Sequence, residues 1–435
     1  MTALWIAPLL LLPLVGAPIL VRPACRRFGT GAAVTLAGAA GAAVLSFVMT
    51  LFSLAGRRWS IFELAILATL LAWLLSYLPA FGDPAAAAGK DRGGAVARIA
   101  ALVSGIAVGA VALGAWLGSA TSPDLFFFWG TKAQQFALAR GIDAAYLSAP
   151  FHDFLHPYYP PLVTNLGAFA AMASGRFSWD GAIATLPLLL GGLAIALPGL
   201  LPGDRGRAAA AAALAVAALA LLGIRAGVAG NGDAPLVFFE TLAMALLLRS
   251  DAGEPSVQWL AGLLLAGAAT AKVEGLPYAM AAAALFLALR DDVRRWPAAA
   301  RLLAPAAAAL AVWFAFGAVR HVFREYSEYG PFATLHPDHL GRIVSSTAAA
   351  LAGPAHGLPF LVPLVCLVAG GRPSRAAWVP LGTAAALAAF LLFAYLHFAG
   401  DPGLWIGWSA ARVLMPTSPL LAMALTARAV PPETR

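Results

Sequence analysis

Charge is what this sequence has least of: 11% of its 435 residues are Asp, Glu, Lys or Arg, while 61% are apolar. A soluble all-α protein needs a polar face on most of its helices, and this chain lacks the residues to supply one. Cysteine is nearly absent. Cys25 sits in a basic turn and Cys366 in an apolar run, which leaves no basis for a disulfide framework or a thiolate metal site. Segments of about ten residues with alternating polarity, the mark of a membrane β-barrel, are missing. The formal charge of +8 comes with no basic run on an amphipathic scaffold, so nucleic acid is not an expected partner. No basic region precedes the first apolar stretch, Ala3 to Val21; Arg22, Arg26 and Arg27 follow it. A cleaved leader has the opposite arrangement, so the stretch reads as a retained first helix.

What the chain does have is apolar runs suited to a hydrocarbon core roughly 30 Å thick. They predict an all-α polytopic membrane protein with about thirteen transmembrane helices. The spans fall near 3–21, 31–55, 60–80, 98–119, 182–201, 208–224, 234–249, 257–271, 276–289, 302–319, 347–369, 377–398 and 411–427. A further apolar stretch, 160–173, opens on two prolines and is read as a helix lying along the outer interface. With that choice most Lys and Arg fall in loops expected inside, among them Arg27, Lys90, Arg92, Arg98, Arg205, Arg249, Arg290, Arg301 and Arg375, as cytoplasmic loops require. If 160–173 crossed, the cluster from Arg290 to Arg301 would fall outside. The expected regions are 1–97, transmembrane helices of open role ending in a Gly- and Ala-rich link, then 98–427 with a large extracytoplasmic loop 120–181, then a cytoplasmic tail 428–435.

The longest polar interruption is that loop, TSPDLFFFWGTKAQQFALARGIDAAYLSAPFHDFLHPYYPP from Thr121 to Pro161. It mixes Asp124, Lys132, Arg140, Asp143, His152, Asp153 and His156 with Phe, Trp and Tyr, as a segment at a bilayer surface does. The orientation sends other polar groups to the same face: Arg225 to Asp233, Lys272 to Glu274, Arg320 to Arg342, and Gly400 to Arg412. Ionisable groups converging from distant parts of a membrane chain mark a cavity, because each needs water or a partner. His152 and His156 have the i, i+4 spacing of a metal pair, but Pro150 and Pro157 argue against one helix carrying both. His336 and His339 in HPDH are a second such pair, and in both places an ordinary wet turn is the simpler reading.

In these pieces, DLFFFWGTKA, HPYYPPLV, NGDAPLVFF, AKVEGLP and RVLMPTSP, the chain resembles the bacterial membrane glycosyltransferases of the C-type (GT-C) fold, relatives of protein mannosyltransferases and of the aminoarabinose transferase. The resemblance covers roughly residues 98 to 427. It implies a GT-C-like catalytic module in a bacterial inner membrane, with its site facing the periplasm. It also implies an inverting transfer from a polyprenyl-phosphate sugar to a glycan, lipid or protein acceptor. Asp124 and Asp233 are then the catalytic acids, and Lys132, His156, Tyr158, Tyr159, Lys272, Glu274, Arg320 and Arg412 the substrate-binding residues. No cofactor is fixed, although a divalent cation between Asp124 and Asp233 is an option. Each residue also has a plainer use: Asp124 and Asp233 as helix caps, Lys272 as a snorkelling anchor, Arg412 as a topology signal and the tyrosines as interfacial anchors. A transporter or lipid flippase is the alternative, with Glu240 as the acid inside a span.

Overall fold

The computed structural model describes residues 2–20, 27–77, 94–149, 155–323, 334–369, 373–398 and 400–427. Cys25, Lys90, Arg92, His152, Asp153, Arg324 and the tail 428–435 lie outside the described residues. Those described are helical, with no strand among them. From the N-terminus come α1 (Thr2–Leu10), α2 (Leu12–Leu20), α3 (Thr30–Leu54), α4 (Ile61–Ser76) and α5 (Gly94–Trp116). The polar loop carries α6 (Gly130–Ala139), the one-turn α7 (Ala144–Leu147) and α8 (Leu162–Ser174). Then follow α9 (Trp179–Leu200), α10 (Arg205–Arg225), α11 (Asp233–Leu247), α12 (Pro255–Ala271), α13 (Gly275–Leu289) and α14 (Arg295–Val319). The last are α15 (Leu340–Ala352), α16 (Pro354–Ala369), α17 (Trp378–Leu396), α18 (Pro402–Val413) and α19 (Thr417–Ala424).

Six of these, α3, α5, α9, α10, α14 and α17 with the turn before it, are long and apolar enough to cross a membrane, as in a helical membrane protein. Other expected spans differ from the sequence reading. The run 3–21 is two helices, with Pro8 and Pro13 on either side of the break at Leu11, where prolines remove backbone donors. The run 347–369 is α15 and α16, bent by 90° at Gly353, which is extended at φ −66°, ψ 136° because Pro354 follows it. The run 411–427 is interrupted between α18 and α19 at Pro416. Helices α11, α12 and α13 have 15, 17 and 15 residues, about 22 to 26 Å at a helical rise of about 1.5 Å, shorter than a core of roughly 30 Å.

The stretch 160–173 forms α8, with 13 residues, about 20 Å long and too short to cross. One face of it packs into the protein. Leu162, Thr164, Asn165, Ala168 and Phe169 are buried, and Asn165 Nδ2 lies 3.1 to 3.2 Å from Ser46 O, Ser46 Oγ and Thr50 Oγ1 of α3. The N-terminal helices are likewise no appendage. Residues from Trp5 to Ala68 share one buried apolar cluster with α8 to α14 and α19, so packing shows no seam near residue 97. Small residues allow this closeness: a Cβ on Gly16 of α2 would lie 2.0 Å from Ala37 O of α3.

Polar connections gather at two poles. At one, Arg27 Nε meets Asp251 Oδ2 at 2.6 Å, Arg290 Nη1 donates to Arg249 O at 3.2 Å, and Arg375 pairs with Asp291. At the other, Ile142 N donates to Ser53 Oγ at 3.0 Å and His336 N to Leu396 O at 2.8 Å. The first set joins described connections expected inside from their basic residues, the second described connections expected outside.

Candidate active site

At the second pole two loops meet backbone to backbone. Ser122 N donates to Ala229 O at 3.1 Å, and Ala229 N donates to Ala120 O at 2.9 Å. This bridge sets the Leu125–Trp129 π-turn against the turn that leads into α11. Glycine permits the approach: Gly230 has φ 84°, and a Cβ there would stand 2.6 Å from Leu125 Cδ2. On Gly232 a Cβ would stand 2.6 Å from the Trp129 ring.

The bridge brings two ion-pair knots together. In the first, Asp124 Oδ2 lies 2.5 Å from Arg412 Nη1, and Asp124 makes no side-chain cap bond to the π-turn. In the second, Lys272 Nζ lies 2.8 Å from Asp233 Oδ1 and 2.9 Å from Glu274 Oε1. Asn231 Nδ2 donates to Asp233 Oδ2 at 2.7 Å, and Asp233 N donates back to Asn231 Oδ1 at 2.9 Å. Burial alone would lower the Lys272 ammonium, but Asp233 and Glu274 outweigh it and hold it above the usual lysine range. Arg412 acts electrostatically on both Asp233 and Lys272, so the knots form one centre. Arg412 Nε and Glu274 Oε2 are buried without a hydrogen-bond partner among the described residues, which leaves one donor and one acceptor of the centre unsatisfied.

Beside this centre stands an aromatic box. Lys132 is 3% exposed; its Nζ lies 5.0, 5.5 and 5.9 Å from the ring centroids of Trp129, Phe128 and Tyr159 and 3.5 Å from His156 O. Among the described residues it has no carboxylate partner, and burial pulls its pKa down to about 7. His156 has φ 48°, stacks on Tyr159 at 4.8 Å and places Nδ1 2.8 Å from Tyr158 Oη. Burial, then Lys132 and Lys272, lower its pKa to about 4, so the ring is neutral at pH 7.

The structure thus brings together Asp124, Asp233, Lys272, Glu274 and Arg412, with Lys132, His156, Tyr158 and Tyr159 alongside. Capping does not account for the two acids and snorkelling does not account for Lys272, whose side chain is 10% exposed. Arg320 departs from its expected role. It is exposed, and its Nη2 lies 3.5 Å from Ser53 O at the end of α3; its described contacts do not reach the centre. A divalent ion between Asp124 and Asp233 gains no support, because each carboxylate already faces an organic cation. Asn231 was missed, although an Asn two residues before an acid is the pattern in which a side chain bonds the backbone two residues on.

Two cavities adjoin the centre. Glu240, 1% exposed and with both oxygens unpartnered among the described residues, lines a cavity of about 10 Å³ with Asp233, Glu274, Phe390 and Pro416, space for about one water. The second is an apolar chamber of about 630 Å³. It runs from Trp129 and Asn231, beside the knots, toward Val34 and Ile195, and α1, α2, α3 and α9 supply much of its wall. Comparison with protein-family models, with curated proteins and with solved structures gives no match. The geometry therefore carries the functional reading.

Proposed function

We propose that this protein is a membrane glycosyltransferase moving a sugar from a polyprenyl-phosphate donor to a glycan, lipid or protein acceptor, as its resemblance to the GT-C enzymes implies. The observation that carries the reading is a cation–carboxylate centre beside an apolar chamber, with Asn231 lining the chamber and bonding Asp233 of the centre. A phosphate headgroup fits the cations, and a prenyl chain fits the chamber. The site faces the periplasm of a bacterial inner membrane, and about thirteen crossings, some by broken helices, keep the polar pole outside.

In this reading the donor phosphate docks against Arg412 and Lys272. Arg412 turns from Asp124 to the phosphate, and the freed Asp124 carboxylate accepts the proton of the acceptor hydroxyl. The acceptor oxygen bonds to the anomeric carbon as the bond from that carbon to the phosphate oxygen breaks, and the electron pair leaves on the phosphate. The two cations stabilise that charge. A single displacement inverts the anomeric centre. Asp233 and Glu274 hold Lys272 in place, and Tyr159 and His156 offer rings to the sugar.

Glu240 favours a second reading, a transporter or flippase, because a buried acid without a partner is typical of ion pathways. Mass spectrometry of lipid-linked sugars and envelope glycans, in cells with and without the protein, separates the two. The Asp124→Asn variant is expected to express and fold while losing at least 100-fold in transfer, the scale of general-base loss. Full transfer in that variant removes Asp124 from the mechanism, and greater damage from Glu240→Gln than from Asp124→Asn overturns the enzyme reading.

A further inference from the structure

We propose that His336, Asp338 and His339 form a binding site for one zinc-class divalent transition-metal ion, on the outer-pole turn that opens α15. The site is separate from the ion-pair centre and does not depend on the transfer reaction proposed above.

The turn Pro337–His339 is a single 3₁₀ turn, and it brings the three side chains to one place. One potential ligand atom from each lies within 4.8 Å of the other two. His339 Nε2 and Asp338 Oδ2 are 3.8 Å apart. In a tetrahedral zinc site with bonds of 2.0 to 2.1 Å, neighbouring donors stand about 3.3 Å apart, so this pair has to close by only a few tenths of an ångström. The two imidazoles are stacked, with centroids 5.0 Å apart and planes at 16°.

Two further observations favour a ligand over a wet turn. The nearest cation in sequence, Arg342, is engaged by Asp401 at 2.6 Å, which leaves His339 as the ion-pair partner of the Asp338 carboxylate among the described residues. The backbone is already fixed, with His336 N bonded to Leu396 O at 2.8 Å and His339 N to His336 O at 3.1 Å. Two imidazoles and one carboxylate suit zinc, cobalt or nickel rather than magnesium or calcium, which take oxygen ligands. Three protein ligands leave a fourth position open to water or a further group. A bound ion would clip the start of α15, which packs on α18, the helix that carries Arg412.

The test uses full-length, tag-free protein in detergent, stripped by chelating resin and titrated with Co²⁺ and then Zn²⁺. One equivalent of Co²⁺ is expected to give a visible absorption band that Zn²⁺ abolishes, and one Zn²⁺ per chain should survive gel filtration. His336→Gln/His339→Gln is expected to weaken binding at least 100-fold, and Asp338→Asn at least tenfold. Asp338 is an exposed residue, so that substitution spares the fold. His321→Gln, at an exposed histidine outside the turn, should bind as the parent does. Parent binding no tighter than that of the double variant, or equal loss in His321→Gln, overturns the proposal.

Discussion

Lys272 is where the charge balance of the site turns. It neutralises the buried Asp233 at 2.8 Å and the partly buried Glu274 at 2.9 Å. Lys272→Met strands both carboxylates, and removal of one partner from a buried pair costs about 3–5 kcal/mol. Thermal unfolding in detergent should show that loss, and Asp233→Asn added to the same chain should recover part of it. Unchanged unfolding would mean that the acids are hydrated and the knot is loose. Lys132 makes the opposite case, a buried amine without an acid partner among the described residues and with a pKa of about 7. Between that value and the usual lysine value near 10.4, the unfolded chain holds a proton that the folded chain has released. Stability therefore rises with pH across this window, and the penalty is present in full below it. Lys132→Met should flatten the rise in a plot of unfolding midpoint against pH; a slope identical to the parent's contradicts a buried, releasing amine.

At the scale of elements, two short connections set where Asp124 and Asp233 stand, while α18 supplies Arg412. The Ser122–Ala229 bridge and the glycines of the next turn let Asp124 and Asp233 both come within reach of Arg412. Gly230→Ala places a Cβ 2.6 Å from Leu125 at a residue with φ 84°, a backbone region that L side chains rarely adopt. It should lower stability by more than about 1 kcal/mol and reduce transfer more than Gly341→Ala, where a Cβ meets nothing within 4 Å. Parallel transfer assays and unfolding curves on the two variants check this; equal effects would show that the turn is not under steric constraint. The same logic explains α8. Its length is set by the prolines before it and by Gly175 at φ 79° after it, and Asn165 draws it inward onto α3.

At the scale of the molecule, the chamber joins the N-terminal helices to the polar centre. Gly191 lines it, and a Cβ there would meet only Val108, at 4.0 Å. In the proposed enzyme, Gly191→Trp should raise KM for long-chain prenyl donors at least tenfold while leaving kcat with a short-chain donor near the parent value. Equal kinetics with long chains would show that the chamber does not hold the prenyl group.

The sequence alone determined the class of this protein, a helical membrane protein. Low charge and long apolar runs leave helices as the solution to backbone hydrogen bonding in lipid, and the skew of arginine marks which loops are expected inside. It also named most of the charged residues of the centre, because ionisable groups are too few in such a chain to be scattered without purpose. What it could not fix was set by contacts between distant residues. A run of apolar residues does not show whether Pro354 or Pro416 will break it, whether α8 lies on a surface or against Ser46 and Thr50, or that α1 to α3 wall a chamber. Nor does composition distinguish Arg412, which reaches Asp124 across 288 positions, from Arg320, which reaches only the end of α3. Ion pairing depends on where the backbones pass, and only the packed helices decide that.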